Sequence, residues 1–181
     1  MTLKELLTGA LLQLGRGTDA QTLESWRDKL TRYLNDAMID LACELQPRRT
    51  DTLTLVGGTL NTSELPRAAV KILALTRGEK RLPFYYGLAT DRLRVPCVDD
   101  GEIDVTYRYM PEALKVDTDV PDLPEWCHGT LINYAVGRER AAGDGASIAA
   151  ARACFELYNA SKRVMRAHRG ELDAYPIQNR Y

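Results

Sequence analysis

Neither sign of charge prevails in this chain: 24 lysines and arginines stand against 25 aspartates and glutamates, a net charge of −1. A chain so balanced does not hold nucleic acid by bulk charge. No apolar run approaches the ~20 residues of a membrane span. The first residues, MTLKELLTGALLQLG, are interrupted by Glu5, Thr8 and Gln13 and lack the long apolar region of a signal peptide, so synthesis in the cytosol is the expectation. The four cysteines, Cys43, Cys97, Cys127 and Cys154, form no CxxC pair, which argues against zinc. In a reducing cytosol they are expected to act as small buried hydrophobes. Neither GRGTDA nor LVGGTL has the context of a phosphate-binding loop, and no GxSxG or HExxH motif occurs. No catalytic residue, cofactor or metal follows from these residues.

What the chain does have is periodicity. Leu3, Leu6, Leu7, Ala10, Leu11 and Leu14 recur at helical spacing until Gly15 and Gly17 break it. Thr18 or Asp19 then caps a long amphipathic helix over 20–46, with Leu23, Trp26, Leu30, Tyr33, Leu34, Ala37, Met38, Leu41 and Leu45 on its apolar face. Pro47 stops it. From about 51 to 110 the pattern changes to short alternating runs bounded by Gly, Pro or Asp. In the clearest, Ile103, Val105, Tyr107 and Tyr109 alternate with Glu102, Asp104, Thr106 and Arg108. Sequential short strands predict antiparallel pairing, as a β-meander or sandwich. Helical spacing returns over 124–142 (Trp126, Leu131, Ile132, Tyr134, Ala135, Val136). After the GDG turn it resumes over 146–168 (Ile148, Ala151, Phe155, Tyr158, Val164, Met165). These two form a predicted antiparallel hairpin.

The fold class expected is therefore α+β and mainly helical: a long N-terminal helix and a C-terminal helical hairpin, with a small antiparallel β-domain inserted between them. Residues 1–50 and 111–169 make the helical core, 51–110 the insert, and 170–181, GELDAYPIQNRY, an extended tail.

The stretch DTDVPDLPEW, residues 117–126, concentrates acid and proline. A calcium loop would need glycine at its sixth position and glutamate at its twelfth, where Asp122 and His128 stand. A structural corner explains each residue instead. Asp117 and Asp119 favour local turns. Pro121 and Pro124 stiffen the path, and Pro124 suits a helix start. Asp122 and Glu125 put negative charge at a helix N-terminus, and Trp126 is placed to lock the first turn to the sheet. Cys127 and His128 are sequence neighbours, about 100° apart on a helix, and do not face each other as a nucleophilic pair would. His168, among Arg163, Arg166 and Arg169, reads as a solvated or partner-facing basic helix end.

The segment VTYRYMPEALKVDTDVPDLPEWCHGTLINYAVGRERAAGDGASIAAARACFELYNASKRV resembles the head–tail adaptor (connector) proteins of tailed bacteriophages. The likeness runs through Tyr107, Tyr109 and Pro111 at the strand end. It continues through Asp117, Asp119, Pro121, Leu123 and Pro124 in the corner; Leu131, Tyr134, Ala135 and Arg138 in the next helix; and Gly143 and Asp144 in the turn. The resemblance implies a structural protein of the virion neck, assembled in the host cytoplasm as a homo-oligomeric ring, typically of twelve. The portal protein lies above it and a tail, stopper or nozzle protein below. DNA passes through the channel without sequence-specific binding, and no membrane is involved. It also implies that the C-terminal segment docks on the portal; by residue type, Arg169, Tyr175, Pro176, Ile177, Arg180 and Tyr181 are the expected contacts to the portal or a neighbouring subunit. Alternatives are another neck or tail-completion protein of the stopper kind, or a small cytosolic enzyme. Some relatives in short-tailed phages are linked to cell-wall degradation, which no residue here supports.

Overall fold

The computed structural model describes residues 1–168 apart from Leu88, Thr90 and Cys97, with backbone only at Ala167 and His168. Among them are four α-helices and seven β-strands. Helices hold under half of the chain, so α+β describes it and mainly helical does not. The chain divides into two compact units: a helical unit of Met1–Leu45 with Pro111–Tyr181, and a β unit of Gln46–Met110.

In the helical unit, α1 (Leu3–Gln13) buries Leu3, Leu6, Leu7, Ala10 and Leu11, the stripe its spacing predicts. α2 (Ala20–Leu45) begins at Asp19, whose carboxylate accepts from the Thr22 amide at 3.0 Å. Its buried stripe runs from Leu30 to Leu45. Trp26 and Tyr33 fall short of full burial, and cations lie over both: Arg16 and Lys29 are each 5.4 Å from the Trp26 ring and Arg138 is 5.2 Å from Tyr33. The helix ends before Gln46, which takes a left-handed conformation (φ 51°) ahead of Pro47.

After a 3-10 turn at Glu125–Cys127, α3 (His128–Arg140) buries Leu131, Ile132, Ala135 and Val136. α4 (Gly145–His168) runs back along it. Tyr134 meets Phe155 and Tyr158 at 5.9 and 5.1 Å between ring centroids. Gly137 is what admits this approach, since a Cβ there would lie 3.2 Å from the Phe155 ring. α4 turns Ala151, Cys154, Tyr158 and Met165 inward, whereas Ile148 and Val164, expected in the core, are 41% and 54% exposed. The buried arc is centred between Cys154 and Tyr158, and at 100° per residue Val164 falls outside it.

All strand pairs of the β unit are antiparallel. β1 (Arg48–Leu55) starts three residues earlier than its alternation suggests, because Arg48 and Arg49 already pair with Arg108 and Tyr107. A two-residue turn of Gly57 and Gly58, both at positive φ, leads to β2 (Thr59–Asn61). Next come β3 (Ala69–Arg77), β4 (Lys80–Leu82), β5 (Tyr85–Tyr86), β6 (Arg92–Arg94) and β7 (Gly101–Tyr109). One sheet has the order β1-β7-β3-β4 and the other β2-β6-β5. This is not a meander, since the last strand lies between the first and third. The central β7 earns that position by its alternation: Ile103, Val105 and Tyr107 are all at most 1% exposed and pack with Leu55, Leu75 and Leu93.

Candidate functional site

The acidic corner is built around another helix than the one it precedes. The Asp119 carboxylate accepts from the amides of Lys115 (2.7 Å) and Val116 (2.9 Å), while its own amide donates to the Val116 carbonyl. That tight loop turns two main-chain carbonyls toward α1. Asp119 O accepts from Leu3 N–H at 2.7 Å and Asp117 O from Lys4 N–H at 3.2 Å. Thr2 supplies the remainder through a capping box with Glu5. The amides that a helix start leaves without intrahelical partners are thus all met. The corner caps α1 with its backbone, not α3 with its side chains; neither the 3-10 turn nor α3 has a side-chain cap.

Two residues of α2 complete the frame. Arg27 pairs with the Asp117 carboxylate at 2.6 Å. Asn35 bonds Leu114 both ways, donating to its carbonyl at 3.1 Å and accepting from its amide at 2.8 Å. The Arg27 bond holds the Asp117 carboxyl below its usual range, and the amides of Val116 and Lys115 do the same for Asp119. Pro121 and Leu123 are buried, Pro124 precedes the 3-10 turn, and Asp122 is half-buried. Trp126 is 55% exposed and so does not act as the buried lock expected of it.

The residues with chemical potential are engaged structurally. The Cys127 thiol is fully buried, and burial pushes its pKa up to about 11, away from a thiolate. The His128 ring, also buried, donates from Nε2 to the Leu123 carbonyl and accepts at Nδ1 from the Met1 amine, both at 3.0 Å. Cys154 is buried, but Cys43 is exposed on α2, against the expectation for scattered cysteines; Cys97 lies outside the described residues. Arg166 is not free: two 2.6 Å bonds tie it to Glu44, whose carboxyl falls to about 2. Among the described residues no group of three or more His, Cys, Asp or Glu could hold a metal ion. Two open grooves, of about 790 Å³ beside Gly57, Tyr85 and Arg94 and about 410 Å³ beside Arg27, Asn35 and Lys115, have no histidine or cysteine among the described residues that line them. The tail residues Arg169, Tyr175, Pro176, Ile177, Arg180 and Tyr181 lie outside the described residues.

Sequence reasoning missed the surface arrangement at Arg138. Its guanidinium sits 5.2 Å from the Tyr33 ring and 5.8 Å from the Tyr134 ring, and donates to the Tyr134 hydroxyl at 3.0 Å. It forms no ion pair among the described residues. The i, i+4 spacing of Tyr134 and Arg138 was the available signal. The third member, Tyr33, comes from a helix a hundred residues earlier.

These features define a scaffold of bonded corners and presented surface groups, the attributes of a structural or interaction protein. The chain belongs to the SU10 adaptor protein family, whose model matches residues 1–179, and this is a family of phage structural adaptors. No curated protein matches it. No helix among the described residues is long and apolar enough to cross a membrane.

Proposed function

We propose that this protein is the head-to-tail adaptor of a bacteriophage neck, a ring-forming subunit that joins the portal vertex to the tail and surrounds the DNA channel. The observation that carries the reading is the family match, which spans both units and the corner between α1 and α3. The corner suits a part that must transmit load: α1, α2 and the 111–124 segment are joined by bonds far apart in sequence. In this reading about twelve copies close the ring, residues 170–181 dock on the portal, and a tail, stopper or nozzle protein binds the opposite side. DNA traverses the channel without sequence readout, in keeping with the near-neutral charge.

The test is genetic and structural. Phage lacking this protein should accumulate DNA-containing or leaking heads without tails, and purified protein should restore joining in extracts. Electron microscopy of the restored particles should place it directly below the portal. Normal joining in its absence would overturn the reading.

A further inference from the structure

The helical unit presents two unlike surface features. One is Arg138, held between Tyr33 and Tyr134 and in no ion pair among the described residues, with Asp36 acting on it only electrostatically. The other is the outward side of α4. There Ala153, Leu157, Ala160 and Val164 follow one another at intervals of four, three and four residues, all exposed, with Leu157 at 59% and Val164 at 54%. Glu156 lies on this side, likewise exposed and without an ion pair among the described residues. At about 100° per residue, Glu156 points some 160–200° away from Cys154 and Tyr158, which face inward. Arg138 belongs to the inward-facing side of α4, because Tyr134, its hydrogen-bond partner, packs on Tyr158.

We infer that Arg138 of one copy binds the Glu156 carboxylate on the outward face of α4 in a second copy. A guanidinium flattened between two rings loses little freedom on binding and offers a planar donor edge, the geometry that matches a carboxylate. A phosphate of DNA is the poorer occupant. Duplex DNA brings a row of phosphates, and carboxylates outnumber basic groups in the helical unit, so a polyanion is repelled where a single carboxylate can be seated. The two patches are different parts of the same chain, so their contact is heterologous: each copy offers Arg138 to one neighbour and Glu156 to the other. Such a contact propagates and closes into a ring where its rotation permits. Around the ion pair, Leu157 and Val164 come out of water. This rests on the ring in the proposed function and assigns it a lateral contact.

The experiment is a charge exchange on the full chain, read by sedimentation velocity over a concentration series. Wild type should self-associate. Arg138→Glu and Glu156→Arg should each raise the concentration for half-assembly at least tenfold, and the double variant should return it to within about threefold of wild type, since one ion pair is reversed. Neutral Arg138→Gln and Glu156→Gln should weaken assembly in the same direction, which covers the event that a charge reversal unfolds the unit; circular dichroism checks folding. Tyr33→Leu should weaken assembly less, by loosening the guanidinium. Self-association unaffected by these changes, or single defects that the double does not repair, would overturn the pairing while leaving the adaptor reading intact. A wild type monomeric throughout, or Arg138→Gln weakening duplex DNA binding instead, would also overturn it. The adaptor reading fails separately, by normal head–tail joining in particles that lack the protein.

Discussion

The helical unit and the β unit solve the same problem with different bonds. In the β unit, main-chain ladders and an apolar cluster do most of the work. Leu55, Leu75, Val105 and Tyr107 are fully buried, and the side-chain bonds are mostly local or between paired strands, such as Thr50–Thr106 and Thr52–Asp104. In the helical unit each helix satisfies most of its own backbone, the first turn of α1 excepted, so association depends on apolar stripes and on side chains that reach across long sequence separations. Asn35 holds Leu114, Arg27 holds Asp117, Arg166 holds Glu44, and Tyr158 donates to Asp40 at 2.6 Å. The difference teaches where each unit is vulnerable. A sheet fails at its central strand, and a helical frame fails at the few residues that stitch distant segments.

The largest expected effect is at β7. Tyr107 is fully buried and its hydroxyl donates to Asp51 at 2.7 Å. Burial and that bond push its pKa up to about 12. Tyr107→Ala should destabilise the protein by about 3–5 kcal/mol. Hydrogen exchange should show the loss first in β1 and β3, the neighbours of β7. Protection retained there would mean that the ladder, rather than the core, carries this unit.

Next comes the tail. Twelve residues span up to about 40 Å when extended, enough to reach a partner. Deleting residues 170–181 should leave a folded protein but weaken portal binding or ring assembly at least tenfold, about 1.4 kcal/mol. Undiminished binding of the truncated chain to purified portal would remove the tail from the docking surface.

At the corner, Asn35→Ala should cost about 1–2 kcal/mol by leaving the Leu114 amide and carbonyl without partners, measured by urea denaturation. Asp119→Ala should lower the melting temperature in the same direction, while calcium or EDTA leaves it unchanged. If Asn35→Ala were neutral, the frame would rest on its apolar stripes alone.

The smallest effect concerns acid. Glu44 is depressed from 4.5 to about 2 by Arg166, so its contribution is complete above pH 4.5 and is lost as pH falls through about 2. With Arg166 largely exposed, solvent screening holds the pair to under about 1 kcal/mol. Glu44→Gln should flatten the acid limb of the stability curve between those values by lowering stability at neutral pH by that amount, with no change below about pH 2. An unaltered limb would assign the acid sensitivity to other carboxylates.

What the linear order determined is what depends on near neighbours. A helix repeats every 3.6 residues and a strand every two, so the stripes of α1, the later part of α2, α3 and the alternation of β7 could be read directly. The break at Pro47, the cap at Asp19 and the turn of Gly57 and Gly58 are also local chemistry. The corner was legible as structural from its acids and prolines, but its client was not. Asp117 and Asp119 turn carbonyls to Leu3 and Lys4, and no local rule names a partner more than a hundred residues away. Tertiary structure alone decided which side of α4 faces the core, leaving Val164 outward, and kept Trp126 and Cys43 at the surface. It also brought Tyr33 beside Arg138. An apolar residue at a plausible spacing is buried only if another element arrives to cover it, and that arrival is a property of the packed chain.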